Sequence, residues 1–419
     1  MSRFKLSAPR RAVTRRLRRW RSNPWLSRDA RREIRIERRG GHPVEAEHLP
    51  HLSEALAWLE RAQDATPDGG FARGYSLAWN GYFGGRGWQP SYPETTGYII
   101  PTLYEASRLL ARPDLAERAE RAARWEIDIQ LGNGAVRGGV MGQRESPAVF
   151  NTGQVIFGWL SVLEETEDGD FADAIRRAGH FLVSALDADG LWRRGNSQFA
   201  RAETTLYNAR TAWALAEAGW RLSEPAFTTG AARALTAVID KQHENGWIPD
   251  CCLSDAERPL LHTLAYAVRG LLEGGRVLED DEMIQSAIRA AVALRGSVRS
   301  DGWMPGRYAK DWSATVPWSC LTGQAQTASI WLRLYSITGD AEWLEPVPAV
   351  LSFIKSTQNR SSERPGVRGG IKGSAPIGGG YGTYQILNWA NKFFVDALIR
   401  HQRVLDGKDE LQPDRFALA

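Results

Sequence analysis

The sequence predicts an all-α fold in which six pairs of helices close into a ring. The first basis is a repeat, in which a threonine stands at the start of six apolar helical segments at intervals of 53 to 61 residues: Thr96, Thr152, Thr205, Thr263, Thr322 and Thr383. Such a period is typical of supersecondary units that bury their apolar faces only against their neighbours. The second basis is that the alternating pattern of β-strands is almost missing.

The segments between these threonines supply a partner for each repeated helix. Residues 44–66 have leucines near helical spacing and predict the first helix. Amphipathic segments with charged faces predict outer helices over 113–131, 170–186, 225–243, 279–296 and 341–357. A glycine turn follows each of them, at Gly132–Gly134, Gly190, Gly246, Gly302 and Gly366, because glycine readily adopts the positive φ that ends a helix. Six such pairs form an (α/α)6 toroid in which all inner helices begin at one rim.

Charge divides the 419 residues into a basic N-terminal extension (1–43), the toroid (44–402) and a C-terminal tail (403–419). The first 40 residues contain fifteen Arg or Lys and three acids, a balance of +12, whereas the rest contains 38 basic and 46 acidic residues, a balance of −8. The arginines of the extension, beside Trp20 and Trp25, suit an anionic membrane surface. A solvated leader is the alternative. No nucleic-acid partner is expected.

Hydropathy and cysteine usage indicate where the protein is located and whether it holds a metal. No apolar run reaches the roughly 18 residues of a membrane span, and no apolar segment follows the paired arginines as it does in an export signal. A cytoplasmic location is therefore expected, with contact at the inner membrane surface through the extension. Three cysteines, Cys251, Cys252 and Cys320, are an odd number and have no metal-ligand spacing with His262. Neither a metal nor a cofactor is expected.

Three motifs resemble those of known proteins. They are Pro93-Glu94-Thr95-Thr96-Gly97-Tyr98-Ile99-Ile100-Pro101-Thr102, Cys320-Leu321-Thr322-Gly323-Gln324-Ala325-Gln326 and Gly369-Gly370-Ile371-Lys372-Gly373-Ser374. The helix-pair repeat resembles the six-hairpin superfamily of carbohydrate-active enzymes, and the motifs resemble uncharacterised proteins of bacterial exopolysaccharide biosynthesis over about residues 50–402. The resemblance implies an oligo- or polysaccharide partner, including an anionic or lipid-linked one, without supplying a reaction.

Polar and aromatic residues gather near the predicted rim, where they would converge on a glycan cleft. Aromatic rings stack on sugar faces, while amides and cations bind hydroxyls or a carboxylate. The candidate catalytic residues are Glu94, Tyr98, Tyr207, His262, Tyr266 and Asp311. The candidate substrate-binding residues are Trp88, Gln154, Asn208, Arg210, Arg269, Trp303, Arg307, Gln324, Gln326, Lys372, Tyr381, Trp389 and Lys392. Lys372 and Tyr381 belong to the glycine-rich run 369–382, interpreted as a lid or as a plain connection.

These candidate residues are compatible with two reactions. Proton abstraction at C5 of a uronic acid, leading to epimerisation or elimination, needs a base, a proton donor and cations for the sugar carboxylate. Glycoside hydrolysis needs two carboxylates about 5 to 10 Å apart, for which Glu94 and Asp311 are the candidates. The residues favour the first reaction. A non-catalytic glycan-binding or assembly protein is the alternative of another class.

Overall fold

The ring of helices is present in the computed structural model, which describes residues 22–197, 200 and 202–408. Within these residues there are thirteen α-helices: α1 Arg28–Glu37, α2 Leu49–Asp64, α3 Pro93–Leu110, α4 Pro113–Asp128, α5 Val149–Thr166, α6 Gly169–Ala185, α7 Ala209–Leu222, α8 Pro225–Ile239, α9 Leu261–Leu278, α10 Asp281–Arg295, α11 Leu321–Thr338, α12 Val347–Thr357 and α13 Asn388–Leu405. Five short strands accompany them: β1 Gly74–Asn80, β2 Gly85–Trp88, β3 Ser319–Cys320, β4 Ser374–Ala375 and β5 Gln385–Leu387.

The odd-numbered helices from α3 to α13 form the inner ring. Each packs on the next one, and α13 returns to α3. The even-numbered helices form the outer ring, where α2 packs on α13 and each of the others packs on the inner helix before it. The predicted (α/α)6 toroid is therefore confirmed.

The inner helices begin close to the predicted positions, with one exception. Five of them start within four residues of the repeated threonine, whereas α13 starts at Asn388, five residues after Thr383. The delay has a physical reason, because residues 385–387 first pair with β1 as strand β5. The last glycine turn also differs from the prediction, since the positive φ falls at Gly369 and not at Gly366.

A Thr-Gly pair recurs at the start of three inner helices, and both residues have a packing role. The hydroxyl of Thr96 accepts the backbone N–H of Phe71, and that of Thr152 accepts the N–H of Val136, so each threonine holds the preceding loop against its helix. Neither side chain caps its own helix. The glycines permit close approach: a Cβ on Gly97 would lie 2.5 Å from the Cα of Val155 on the next inner helix.

A glutamine near the end of four outer helices links each helix to the next outer helix. The Nε2 of Gln130 donates to the carbonyls of Gly134 and of Ala174 on α6. Gln63 and Gln242 make the equivalent pairs of bonds. Gln358 donates to the carbonyl of Gly369 and to that of His51 on α2, which joins the last outer helix to the first. The spacing of these glutamines is visible in the sequence, but their role requires the closed ring.

All five strands of the described residues lie in loops that lead into inner helices, at one rim of the toroid. Strands β2, β1 and β5 make an antiparallel sheet in that order, with Gly74 opposite Leu387 and Tyr75 opposite Trp88. A second small sheet pairs β3 with β4. Because β1 lies early and β5 late in the chain, this sheet joins the two ends of the toroid at the rim.

Candidate active site

A cavity of about 530 Å³ lies at this rim, a size usual for small-molecule sites. Its wall is formed by the first residues of four inner helices, by the segment just before α7 and by the loops that enter them. The predicted site residues that line it are Glu94, Tyr207, His262, Tyr266, Arg307, Tyr381 and Trp389. The structure thus brings together seven residues that are spread over nearly 300 positions of the sequence.

Glu94 stands in the first turn of α3 and is the single carboxylate among the described residues that line the cavity. Burial raises its pKa to about 7, against the opposing effects of a hydrogen bond from Tyr92 and of the charge of Arg73. The Tyr92 hydroxyl donates that bond to Oε2 of Glu94. A carboxyl group with this pKa exists in both protonation states near neutral pH, as a proton-transfer group requires.

Arg73 is half-buried and supplies a positive charge to the same wall. Its guanidinium carbon lies 4.7 Å from the centre of the Trp389 ring, and its Nη1 donates to the amide oxygens of Gln89 and Gln385. Burial lowers its pKa, although an arginine retains its charge in proteins. Because the amides that it bonds are neutral, this guanidinium keeps a positive charge on the cavity wall, where it lowers the pKa of Glu94 and suits an anionic ligand.

Arg307 places a second guanidinium on the cavity wall. Its Nη1 donates to the carbonyl of Arg258 and lies 3.8 Å from Sγ of Cys252, which also lines the cavity. Neither contact is with a carboxylate. The described lining residues therefore carry two guanidinium groups against one carboxyl group, which leaves an excess of positive charge.

His262 is held in a neutral form on the wall opposite the loops. Its ring lies against Tyr266 and Tyr381, with centroid distances of 4.4 and 5.4 Å, and its Nδ1 accepts a bond of 2.7 Å from the amide of Gln326. Burial, assisted by the charge of Arg210, lowers its pKa to about 3. Gln326 therefore orients a catalytic candidate from behind and does not line the cavity.

Tyr98 and Arg210 form the layer beneath the cavity. The Tyr266 hydroxyl donates to that of Tyr98 over 3.4 Å. The Arg210 guanidinium lies within 6 Å of several ring centroids, including those of Tyr98 and Tyr266, and its Nε donates to Gln154. All are buried, so Tyr98, Gln154 and Arg210 support the cavity floor without lining it.

Five further polar candidates form ion pairs or hydrogen bonds inside the protein. Arg269 pairs with Glu273, and Lys392 pairs with Asp396, both deep in the ring. Gln324 bonds to Ser319 and to the carbonyl of Gly302, and Asn208 donates to Thr205. Lys372 pairs with Glu33 and Glu37 of α1. None of the five lines the cavity.

Three candidates from the loops lie outside the cavity lining. Trp88 packs against Trp58 and Tyr75, and Trp303 lies beside the guanidinium of Arg299. Asp311 is exposed, where its carboxylate accepts bonds from the backbone and hydroxyl of Ser313 in a turn. A residue that closes an exposed turn is poorly placed to act with Glu94.

Several lining residues escaped the sequence reasoning. Tyr92 directly precedes the Pro93–Tyr98 motif, Arg73 lies just before strand β1, and Gln385 lies in strand β5, which no alternation pattern reveals. Phe150 and Asn151 precede Thr152 and could have been found by treating all rim starts as equivalent. The glycine-rich run contributes Gly380 and Tyr381, whose hydroxyl accepts a bond from the indole of Trp389.

The described part of the chain contains no group of three or more His, Cys, Asp and Glu residues that could hold a metal ion. Over the same residues, no helix combines the length and the hydropathy that crossing a bilayer requires.

Comparison with known proteins supports the fold. No family model and no curated protein sequence matches this chain. Among solved structures, the chain is similar to an unsaturated glucuronyl hydrolase specific for heparin, with TM-score 0.67, 15% identity and coverage of 86% of this chain and 97% of the other. The chain is also similar to a D-mannose isomerase, with TM-score 0.64, 13% identity and coverage of 87% of this chain and 100% of the other.

The cellobiose 2-epimerase of Bacillus thermoamylovorans B4167 is a third similar structure, with TM-score 0.62, 12% identity and coverage of 88% of this chain and 98% of the other. All three are carbohydrate-active enzymes built on (α/α)6 toroids. At these identities the likeness establishes the fold. The predicted resemblance to six-hairpin carbohydrate-active enzymes is confirmed at that level, and this chain has the architecture of an (α/α)6 toroid with its cavity at the rim where the inner helices begin.

Proposed function

We propose that this protein is a carbohydrate-active enzyme that transfers a proton at C5 of a uronic acid within an oligo- or polysaccharide. The observation that carries the proposal is that one carboxyl group of raised pKa, Glu94, shares the cavity wall with two guanidinium groups, Arg73 and Arg307, whose hydrogen bonds go to neutral amide and carbonyl oxygens. A site of this charge favours an anionic sugar, and a single carboxyl group suffices for proton transfer.

The cavity suggests a role for each group. Ionised Glu94 takes the proton from C5, and the electron pair of the broken C–H bond passes into the C6 carboxylate. Arg73 or Arg307 neutralises the added negative charge on that carboxylate. Trp389 and Tyr381 offer aromatic surfaces to the sugar rings.

Neutral phenols can complete either outcome. Burial raises the pKa of Tyr207 and of Tyr266, so both stay protonated and can donate. In epimerisation one of them returns a proton to the opposite face of C5. In elimination the electron pair breaks the C4–O4 bond, and the phenol protonates the leaving oxygen. In both cases solvent restores the protons on the phenol and removes the one on Glu94.

A second candidate is hydrolysis of an unsaturated glucuronyl residue, as named for the heparin-specific neighbour. Hydration of a C4=C5 enol ether begins with protonation of carbon by one acid, and Glu94 with a pKa of about 7 is partly protonated at neutral pH. The presence of a single carboxyl group on the described cavity wall supports this reaction equally. Hydrolysis by Glu94 with Asp311 is less well supported, because Asp311 lies in an exposed turn outside the cavity lining.

The form of the substrate is a further part of the proposal. A lipid-linked anionic glycan would be presented at a membrane, and the basic extension would then hold the enzyme near it. A glycan-binding protein without turnover is the alternative that uses the same cavity and needs no proton transfer by Glu94.

One experiment separates these reactions. The protein is incubated in D2O with intact and with lyase-digested uronic-acid glycans. Deuterium at C5 with a changed configuration indicates epimerisation, a new ultraviolet absorbance indicates elimination, and loss of that absorbance from the digested glycan indicates the unsaturated-glucuronyl reaction. Binding without any of these, over a broad substrate panel, would overturn the enzyme proposal in favour of a binding protein.

A further inference from the structure

Helix α1 separates its charges onto two faces. The acids Asp29, Glu33 and Glu37 recur every four residues and therefore form one stripe. That stripe faces the toroid: Asp29 lies 3.5 Å from Arg364, Glu33 lies 2.9 Å from Lys372, and the carboxylate of Glu37 accepts the backbone N–H of Ile377. The acids of α1 thus attach the helix to the body.

The opposite face consists of arginines. Arg28, Arg32, Arg35 and Arg39 are all exposed, and Arg31 is half-buried beside them. Together with Ile36 these five line a shallow groove on the outside of the helix. None of the five forms an ion pair with an acid of the described residues, because the helix's own acids are turned inward.

This face is unusual for this protein. Elsewhere on the surface, arginines are commonly neutralised by a carboxylate, as with Arg112, Arg124, Arg193, Arg295 and Arg368. Solvent-exposed pairs of that kind add little stability, but they do reduce local charge. The positive charges of the α1 arginines are not reduced in this way, so positive charge is concentrated on one side of the molecule.

Two exposed apolar side chains adjoin the arginine face. Trp25 and Leu26 lie in the turn just before α1 and are 44% and 40% exposed. The guanidinium of Arg38 lies 5.6 Å from the centre of the Trp25 ring, which fixes the indole beside the helix. An indole and a leucine next to arginines form the usual composition of a surface that enters the headgroup layer of a membrane. A soluble acidic polymer would need the arginines alone.

The position of α1 relates this face to the cavity. Ser27 donates its hydroxyl to the carbonyl of Leu77 in β1, and Glu37 holds Lys372 and Ile377. The chain continues from β1 to Tyr82 and Phe83 and from Ile377 to Tyr381, all of which line the cavity. Helix α1 therefore packs against the loops of the rim at which the cavity is found, and its arginine face points away from them.

We propose that the α1 arginine face, with Trp25 and Leu26, is a binding surface for an anionic phospholipid membrane. The inference is independent of the chemistry in the cavity. It assigns membrane contact to described residues, whereas Arg15 to Arg21 and Trp20 of the predicted basic extension lie outside the described residues. Each arginine near such a surface contributes about a fivefold gain in affinity, so three of them amount to roughly a hundredfold.

The test is vesicle binding by the full chain. Vesicles of phosphatidylcholine and phosphatidylglycerol in equal parts are compared with vesicles of phosphatidylcholine alone, at low and high salt. The unmodified protein is expected to sediment only with the anionic vesicles and to be released by salt. The variant R28Q/R32Q/R35Q is expected to bind roughly a hundredfold more weakly, while R28K/R32K/R35K retains binding because the charge remains.

A matched control removes the same charge elsewhere. Arg177, Arg233 and Arg289 are exposed on the outer helices α6, α8 and α10, and R177Q/R233Q/R289Q should keep nearly full vesicle affinity. W25S should weaken binding severalfold at every salt concentration, since its contribution is apolar. Equal losses for the two glutamine variants would overturn the proposal. So would tight binding of a soluble acidic polysaccharide that R28Q/R32Q/R35Q abolishes while vesicle binding persists.

Discussion

The hydroxyl of Tyr92 donates a hydrogen bond to the carboxylate of Glu94 at the start of the first inner helix. The bond stabilises the ionised form of a carboxyl group whose pKa burial has raised to about 7. Two residues apart in sequence, they form an acid–base unit: the phenol moderates the pKa that burial would otherwise raise further.

Removing that hydroxyl should shift the pH dependence of catalysis. In Tyr92→Phe the pKa of Glu94 rises, because burial still acts and the opposing hydrogen bond is gone. If Glu94 acts as a base, the ascending limb of the plot of kcat/KM against pH shifts to higher pH, and the rate at neutral pH falls about tenfold. Y82F, which alters another cavity-lining tyrosine, should leave the limb in place. An unmoved limb in Y92F would contradict the role of Glu94 as the titrating base.

Mutations of Glu94 and of Asp311 should have very different effects on kcat. Glu94→Gln keeps the shape but cannot take up a proton, and kcat should fall by roughly 10² to 10⁴. Asp311→Asn changes an exposed turn, so its kcat should stay within about a factor of two. Turnover assays with a uronic-acid glycan measure both. A comparable collapse in D311N would instead support the two-carboxylate hydrolysis.

Arg73 should bind the carboxylate of the acidic sugar. Arg73→Met removes a positive charge from the cavity wall, so KM for a uronic-acid substrate is expected to rise at least tenfold. Binding of the carboxyl-reduced, neutral glycan should change much less, and calorimetry with the two ligands makes the comparison. A similar loss for both would show that Arg73 supports the wall through Gln89, Gln385 and Trp389 and does not recognise charge.

The Lys372–Glu33 pair should be important for stability. Burial alone would raise the pKa of Glu33, but bonds and charge from His42, Lys372 and Asn359 outweigh it and lower the pKa to about 2. Lys372→Met removes the buried cation beside this carboxylate, although the bonds from His42 and Asn359 remain, and should reduce the free energy of unfolding by about 3 to 5 kcal/mol. The double variant K372M/E33M should recover much of that loss in denaturant titrations. A single variant as stable as the unmodified protein would refute this assignment.

Stability should fall in acid through buried histidines, of which His48 is one, and through Glu33. Burial lowers the pKa of His48 to about 3, so unfolding takes up a proton below pH 6.5, and stability declines from there towards pH 3. For Glu33 the lowered pKa contributes stability above 4.5 that is lost between 4.5 and about 2.

Thermal melts of His48→Gln and of the unmodified protein distinguish the two contributions. The variant should reduce the decline between pH 6.5 and 4.5, to which His51 and His262 also contribute, and should leave the contribution of Glu33 below pH 4.5 unchanged. Parallel curves over the upper range would mean that another group is responsible.

The regular features of this protein could be predicted from local patterns. The threonine repeat and the amphipathic segments predicted the helix pairs and their alternation, since burial of one apolar face per helix follows directly from residue spacing. Glu94, His262 and Trp389 were placed at the rim because they stand near inner-helix starts. Arg73, Tyr92 and Gln385 were missed because loop residues follow no period.

Hydrophobic periodicity is enough to predict the toroid and the rim at which polar side chains collect, because it shows which helix faces meet. Which polar residues share a cavity and which pair inside the protein depends on contacts between distant parts of the chain. Lys372, Arg269 and Lys392 look like ligand-binding cations in the sequence, yet each has a buried acid as its partner. The reason is physical: a buried charge is stable only with compensation, and its partner can lie hundreds of residues away, as Glu33 does for Lys372.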